Sequence, residues 1–219
     1  MQSKASCRLM LFRRPEKRAS LLGVVMALAL VSATAEDGFD DVLARIHITQ
    51  TLHLKYKETR HLELITAPWQ ATGDLYISRQ QMVIAQKTPN SATTIITATR
   101  LQHYNEARRI DRSINLEQPF AVPGMEPLMQ LLFQSLNSDA LQQTHSITMK
   151  NKARRWSLEL KPRHRTQIEI DRIQLSGLDS EWPDRLVFFY EDGDRTDWEM
   201  LLISRGATAD DELHRQLNR

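Results

Sequence analysis

The feature that most restricts the fold of this chain is a series of short runs in which apolar and polar residues alternate. Such alternation places successive side chains on opposite faces of a β-strand. The runs are Leu52–Leu64, Ala71–Ser78, Met82–Lys87, Thr93–Thr99, Leu101–Asn105, Ile110–Ile114, Ser146–Lys150, Arg154–Lys161, Gln167–Leu175, Arg185–Tyr190 and Arg195–Ser204. Turn residues such as Gly73, Pro89 and Asn90 punctuate them, and connections within each series are too short for a crossover helix. The sequence therefore predicts an antiparallel meander, with an irregularity near Asp171 and Arg172.

Other segments repeat their apolar residues at helical spacing. Residues 37–48 predict an amphipathic helix with Asp37 as its N-cap, and the tail from Thr208 predicts a short helix, with Thr208 as the candidate cap, or a frayed end. A leucine stripe from Leu128 to Leu136, entered through proline and glycine breaks, predicts a helix of about three turns between the two series of strands. The fold class is therefore α+β: an incomplete, unclosed antiparallel β-barrel of about ten strands with an N-terminal helix and an inserted lid helix.

The first 35 residues have the organisation of a secretory signal peptide. Four basic residues at positions 13–18 precede the apolar run LLGVVMALALV, and Ala33-Thr34-Ala35 forms a small-x-small cleavage site. The apolar run is too short to span a bilayer as a permanent helix, although an uncleaved anchor is the alternative. We therefore expect residues 1–35 to be removed and residues 36–219 to form one domain in the periplasm.

Composition narrows the class of the predicted mature chain. The one cysteine, Cys7, lies in the predicted signal peptide, so we expect neither a disulfide nor a lipid anchor. Residues 1–35 carry six basic residues and one acidic residue, which leaves 23 basic and 26 acidic residues and a net charge of −3. That charge argues against a nucleic-acid partner. We expect a monomer.

Motifs for covalent catalysis are missing from the sequence. It contains no G-x-S-x-G, no phosphate-binding glycine loop and no H-E-x-x-H. His53 and His61 share a predicted strand face, but eight residues of strand would separate them by roughly 27 Å, too far to share a metal. Asp192-Gly193-Asp194 is typical of a hairpin turn, because the later ligands of a calcium loop are missing. We therefore expect no enzymatic activity, no metal and no cofactor.

Apolar residues are in surplus in the last strands, where they occupy both faces of Arg185–Tyr190 and of Trp198–Ile203. Either a helix covers a second, ordinary core, or one face lines a groove for hydrocarbon. A groove would need a lid when empty, since large apolar patches are rarely left exposed. The groove candidates are Leu54, Tyr56, Leu64, Leu75, Ile77, Ile84, Ile95, Trp156, Leu158, Leu160, Phe188 and Tyr190; the lid candidates are Met125, Leu128, Met129, Leu131, Leu132 and Leu136.

Four segments occur in the order and spacing of a known family. They are GDLYISRQQMVIAQKTPN, TRLQHYNEARR, RRWSLELKP and GDRTDWEMLLI. From about Phe39 to about Ile203 the chain thereby resembles the LolA family of periplasmic carriers of outer-membrane lipoproteins. The resemblance implies an unclosed barrel with helices as a lid, which shields acyl chains without covalent chemistry. It also implies two partners, an inner-membrane ABC-type release complex and an outer-membrane acceptor.

Arg79 is the residue to which the resemblance assigns a specific role. It shares a predicted strand face with Leu75 and Ile77, and it matches the family's arginine at the end of an early strand. That arginine hydrogen-bonds the lid and holds it shut, so the resemblance implies that Arg79 is a lid latch. A rim arginine that extends to water is the alternative.

Two functional hypotheses follow from these observations. The first is a periplasmic carrier that shields the acyl chains of lipoproteins or related lipids during transfer from the inner to the outer membrane. The second is a periplasmic regulatory or interaction module whose half-barrel senses a lipid or a peptide.

Overall fold

A computed structural model describes residues 38–105, 107–116, 126–133, 138–164, 170–179 and 181–218, all of them within the unit Glu36–Arg219. Its elements are α1 (Phe39–Ile46), β1 (Leu52–His61), β2 (Trp69–Ile77), β3 (Gln81–Thr88), β4 (Ala92–Thr97), β5 (Arg100–Asn105), β6 (Ile110–Asn115), α2 (Glu126–Phe133), α3 (Ser138–Thr144), β7 (His145–Lys152), β8 (Arg155–Pro162), β9 (Ile170–Leu178), β10 (Arg185–Tyr190), β11 (Arg195–Arg205) and α4 (Ala207–Leu217). None of the described helices is long and apolar enough to cross a membrane.

The strands form one 11-stranded sheet in the order β6-β5-β4-β3-β2-β1-β11-β10-β9-β8-β7. Every neighbouring pair is antiparallel, as expected for strands joined by short connections. In the described part of the chain β6 and β7 lie at opposite edges and do not pair, so the sheet does not close. The predicted α+β fold, an unclosed antiparallel barrel with an N-terminal and an inserted helix, is confirmed.

The two meanders, β2–β6 and β7–β11, meet at β1, which pairs with β2 on one side and β11 on the other. One end of β1 is defined by Leu52, which lies opposite Ile77 and Arg205. The other end is defined by Arg60, which lies opposite Thr196. These two ends, called below the Leu52 end and the Arg60 end, differ in chemistry.

The N-cap of helix α1 lies one residue later in the chain than predicted. Gly38 is its N-cap, and the N–H of Gly38 donates to the carboxylate of Asp41 at 3.0 Å. Asp37, the predicted cap, lies outside the described residues. The apolar stripe predicted for this helix is confirmed, because Val42 and Ile46 are completely buried.

The inserted segment contains two short helices where the sequence predicted one of about three turns. Helix α2, which we call the lid, covers the first part of the leucine stripe, and α3 follows after residues that lie outside the described set. Leu141 of α3 is 1% exposed and joins the same core as the lid leucines. The leucine stripe in the sequence ends at residue 136, whereas α3 begins at Ser138. The spacing of the leucines therefore gives no indication of this second helix.

Both faces of the sheet are covered, which accounts for part of the apolar surplus. The larger cluster packs between the inner face of the sheet and helices α1, α2 and α3. On the outer face, Leu213 of α4 packs on Tyr76, Val83 and Ala85. The N-cap of helix α4 is Gly206 and not Thr208. The φ of Gly206 is 67°, a backbone conformation that favours glycine.

Polar side chains also hold α4 against the outer face. His53 is buried, with Nδ1 2.6 Å from the Glu212 carboxylate of α4 and Nε2 3.1 Å from the Asp74 carboxylate of β2. No local pattern around position 53 in the sequence indicates that α4 covers this histidine. The Glu212 carboxylate also accepts a hydrogen bond from the Ser204 hydroxyl. This bond is the main cause of the lowered pKa of Glu212, and the contact with His53 lowers that pKa further.

One predicted irregularity is confirmed. Phe189 lies opposite Arg172 but Tyr190 lies opposite Ile170, so Asp171 is the extra residue of a β-bulge in β9. The polar pair Asp171-Arg172 interrupts the alternation of the strand, and that interruption was the signal in the sequence.

Candidate functional site

A cavity of about 470 Å³ lies between the inner face of the sheet and the lid. Its volume falls within the range of roughly 300–1,000 Å³ that is usual for small-molecule sites. Most of the described residues that line it are apolar or aromatic: Leu62, Leu75, Ile77, Met82, Leu128, Leu132, Ile170, Leu175, Trp182, Pro183, Leu186, Phe188, Tyr190, Trp198 and Met200.

The lid contributes Leu128 and Leu132, which are four residues apart and therefore on the same side of α2. They face Leu75, Ile77 and Met82, whose strands β2 and β3 form the wall near the Leu52 end. All five side chains are at most 4% exposed. This part of the cavity is an apolar hollow of the kind that hydrocarbon can occupy.

The opposite part of the cavity is polar. The remaining described lining residues are Glu58, Arg60, Asp192, Asp194 and Thr196, and all of them lie toward the Arg60 end or in the β10–β11 hairpin. Arg60 and Asp192 are the exposed members among the described lining residues. The cavity therefore opens to solvent at its polar end.

Within the polar end, Arg60 is already engaged. Its Nε donates to the Glu58 carboxylate at 2.6 Å, and its guanidinium lies 4.7 Å from the ring centroid of Trp69, a cation–π distance. Glu58 is 4% exposed, so its charge needs this partner.

The two hairpin aspartates take backbone partners instead. Asp192 accepts a hydrogen bond from the N–H of Asp194 at 3.0 Å, and Asp194 accepts one from the N–H of Glu63 at 2.8 Å. Asp194 thereby ties the hairpin to the segment after β1, and both carboxylates keep the capacity to accept further hydrogen bonds.

An aromatic pair supports the wall beside the polar end. The rings of Tyr56 and Trp198 are stacked at 4.9 Å, and Trp198 lines the cavity. Burial raises the pKa of Tyr56, and the nearby charge of Glu58 raises it further, so the phenol stays protonated.

The predicted groove residues fall into three groups. Leu75, Ile77, Phe188 and Tyr190 line the cavity. Leu54, Tyr56, Trp156, Leu158 and Leu160 are buried in the inner core beside it, and Ile84 packs against that core. Leu64 and Ile95 lie elsewhere, contrary to the sequence prediction.

Leu64 is 97% exposed, because β1 ends at His61 and the chain turns away before position 64. Ile95 packs on the outer cluster, because it lies opposite Val83 of β3 and so shares the outer face. Its neighbour Ile96 occupies the inner face. Two adjacent isoleucines give no indication of which one points inward.

The predicted lid residues are also divided. Leu128 and Leu132 line the cavity, whereas Met129 and Leu131 are buried in the core. Met125 and Leu136 lie outside the described residues.

Arg79 lies in the turn between β2 and β3 and is exposed. The strand ends at Ile77, and Ser78 closes the turn with backbone and hydroxyl hydrogen bonds to Gln81. The alternation that grouped Arg79 with Leu75 and Ile77 therefore stops before it. Arg79 does not line the cavity and makes no hydrogen bond or ion pair with the described residues.

The main residues that sequence reasoning missed are the charged pair Glu58 and Arg60. Both continue the phase of Leu54 and Tyr56 in β1, and charged residues at inward-facing positions were a usable signal. Trp182 and Pro183, in the loop before β10, carried no periodic signal. Within the described ranges, no group of three histidine, aspartate, glutamate or cysteine side chains is arranged to hold a metal.

Comparison with known proteins gives a likeness in structure and none in sequence. No family model and no curated protein matches the chain. Solved structures that align with it include an uncharacterized conserved protein from Thermus thermophilus, 12% identical over 70% of this chain and 78% of that one, with a TM-score of 0.43. A LolA superfamily protein from Nitrosomonas europaea is 8% identical over 76% of this chain and 92% of that one, with a TM-score of 0.39.

A third structure, a DUF1329 family protein from Desulfovibrio piger, is 10% identical over 73% of this chain and 87% of that one, with a TM-score of 0.38. Among these structures, the Nitrosomonas europaea protein is the one named as a LolA superfamily member. Since the identities and TM-scores are low, these structures show a likeness in fold alone.

Proposed function

We propose that this protein is a periplasmic carrier that shields the acyl chains of lipoproteins or related lipids during transfer from the inner to the outer membrane. The observation that carries this proposal is the cavity of about 470 Å³, apolar under the lid and polar where it opens. An acyl chain fits the apolar part, and the polar group attached to the chain remains at the opening.

The energetics suit reversible carriage. Each buried methylene contributes about 0.8 kcal/mol, so ten of them contribute roughly 8 kcal/mol. Association costs on the order of 4–15 kcal/mol in lost freedom, so the net affinity stays moderate. A cargo held in this way can be both shielded from water and passed on.

The lid is suited to open and close. An eight-residue helix is marginal on its own in water, so α2 depends on its contacts with the core. Those contacts are the apolar packing of its leucines and a hydrogen bond from the N–H of Ile48 to the carbonyl of Leu132. Displacing the lid therefore breaks weak, reversible contacts and no covalent bond.

The proposal has further parts, and the partners in it are those that the resemblance to the LolA family implies. The protein acts by reversible binding and not as an enzyme, and it works as a monomer. Its partners are an inner-membrane ABC-type release complex that loads it and an outer-membrane acceptor that unloads it.

Native mass spectrometry of the protein isolated from its own periplasm tests the proposal. The expected result is added mass that matches one or more acylated molecules and is removed by delipidation. Delipidated protein is then expected to bind the neutral dye N-phenyl-1-naphthylamine, and a diacylated lipopeptide is expected to displace the dye. A peptide adduct without acyl chains would favour the regulatory module, and failure to bind either dye or lipid would contradict the carrier.

A further inference from the structure

The polar end of the cavity carries more negative than positive charge. Glu58, Asp192 and Asp194 contribute three carboxylates, whereas Arg60 contributes the one basic group among the described lining residues. A further carboxylate, that of Glu63, lies beside the hairpin turn.

The charge of Arg60 is used within the wall. Its bond to Glu58 and its position over Trp69 pair it with one of the three lining carboxylates. Asp192 and Asp194 form no ion pair with a basic side chain of the described residues. Two carboxylates at the opening therefore have no basic partner among the described residues.

Thr196 provides an independent indication that a polar ligand group belongs at this position. Its residue is only 8% exposed, it lines the cavity, and its hydroxyl has no hydrogen-bond partner among the described residues. The hydroxyl is not one of the fully buried polar atoms of the described residues, so it is accessible and can accept a hydrogen bond from a ligand. A ligand donor at the boundary between the apolar and the polar part would satisfy it.

Building on the proposed carrier function, we propose that the polar end selects cargo whose acyl chain is joined to a protonated amine. The acyl chain occupies the hollow under the lid, and the ammonium group lies between Asp192 and Asp194 and donates to the Thr196 hydroxyl. An ammonium group has three donors and a positive charge, which match two carboxylates and one hydroxyl. A phosphate, sulfate or carboxylate in the same place would be repelled.

The test uses displacement of N-phenyl-1-naphthylamine by three detergents with the same chain: dodecylammonium, dodecyl maltoside and dodecyl sulfate. All are used below their micelle-forming concentrations at neutral pH. Because the two aspartates are partly solvated, dodecylammonium is expected to displace the dye at about fivefold lower concentration than dodecyl maltoside. Dodecyl sulfate is expected to require a higher concentration than the maltoside, and the differences should shrink in high salt.

The double variant Asp192→Asn with Asp194→Asn removes both charges and keeps an oxygen acceptor at each position. It is expected to bring the three detergents to within about twofold of one another. The matched control, Asp111→Asn with Asp211→Asn, removes two exposed carboxylates far along the chain from the hairpin and should keep the preference. The variant Arg60→Gln leaves the Glu58 carboxylate without its partner, so it should increase the preference for dodecylammonium over dodecyl sulfate.

The outcomes separate this inference from the carrier function. If dodecyl maltoside displaces the dye but dodecylammonium does so no better than dodecyl sulfate, the amine preference is wrong and the carrier function stands. A sulfate preference that disappears in Arg60→Gln would show that the site takes anions. If no detergent competes, both proposals fail.

Discussion

The backbone N–H of Ile48 donates a hydrogen bond to the carbonyl oxygen of Leu132, with 3.2 Å between nitrogen and oxygen. Leu132 lies in the last turn of the lid, where carbonyl groups have no donor within the helix. Ile48 is 3% exposed and follows α1, so the bond fastens the lid to the connection between α1 and β1. Since the side chain of Leu132 also lines the cavity, one residue couples the position of the lid to the shape of the hollow.

Replacing Leu132 by alanine should loosen the lid. The buried side chain is lost, and the free energy of unfolding should fall by about 2 kcal/mol, the low end for such changes because Leu132 already borders a cavity. Bound dye should also dissociate faster. Urea denaturation and stopped-flow fluorescence measure the two effects.

The control for the Leu132→Ala variant is Arg79→Ala. The resemblance to the LolA family implies that Arg79 holds the lid shut. Arg79 is exposed and unpaired among the described residues, so its removal should change the free energy of unfolding by less than about 0.5 kcal/mol. Dye release as fast as in Leu132→Ala would instead support the latch.

Filling the cavity should block binding. Met200 lines the cavity from β11, and Met200→Trp places a larger ring in the hollow. We expect dye affinity to fall at least about tenfold, which is a loss of roughly 1.4 kcal/mol. Leu201→Trp is the matched control, because the adjacent side chain points to the other face and is 63% exposed. Equal affinities for the two variants would contradict binding in this cavity.

Gly73 should not tolerate a side chain. It lies opposite a β-bulge in β3, where Lys87 is the extra residue, and a Cβ at this position would lie close to the backbone carbonyl oxygen of Ala85 in β3. Gly73→Ala must push two paired strands apart and should lower the free energy of unfolding by about 3 kcal/mol. Gly38→Ala, whose Cβ would meet Asp41 at an ordinary 3.4 Å, should cost less than about 1 kcal/mol. Similar unfolding curves for the two variants would contradict this account.

The contacts of Asp74 on the outer face predict a loss of stability in acid. Burial raises its pKa, but the Lys87 ammonium and the hydrogen bond from His53 outweigh burial and lower it overall. Because the folded pKa lies below the unfolded one, the stability from this carboxylate is complete above about pH 4 and is lost as the pH falls through the folded pKa. Glu212, whose pKa is also lowered, acts in the same window.

Asp74→Asn should therefore destabilise the protein at neutral pH, by about 1–3 kcal/mol. The difference from the unmodified protein should shrink below about pH 4, where the native carboxylate also becomes neutral. Urea unfolding at several pH values measures this, with Asp111→Asn as an exposed control. A constant difference across that window would contradict the assignment.

Much of the fold could be predicted from the sequence because its signals are local. Alternation with period two located every strand to within a few residues, and the polar pair Asp171-Arg172 marked the bulge in β9. The apolar stripes located α1 and the lid. Short connections excluded crossover helices and so determined that the sheet is antiparallel.

The sequence alone thus determined the strands, their antiparallel order within each meander and the apolar character of one face. Only the tertiary structure decided where that face becomes a cavity. Periodicity states which side of a strand a residue occupies, but not where the strand ends. It therefore predicts Leu64 in the groove and Arg79 on the strand face of Leu75 and Ile77, although both lie beyond the ends of their strands. The polar opening arises from the pairing of β1 with β11, which brings Arg60 beside Thr196. That contact joins residues far apart in the chain, and no local pattern records it.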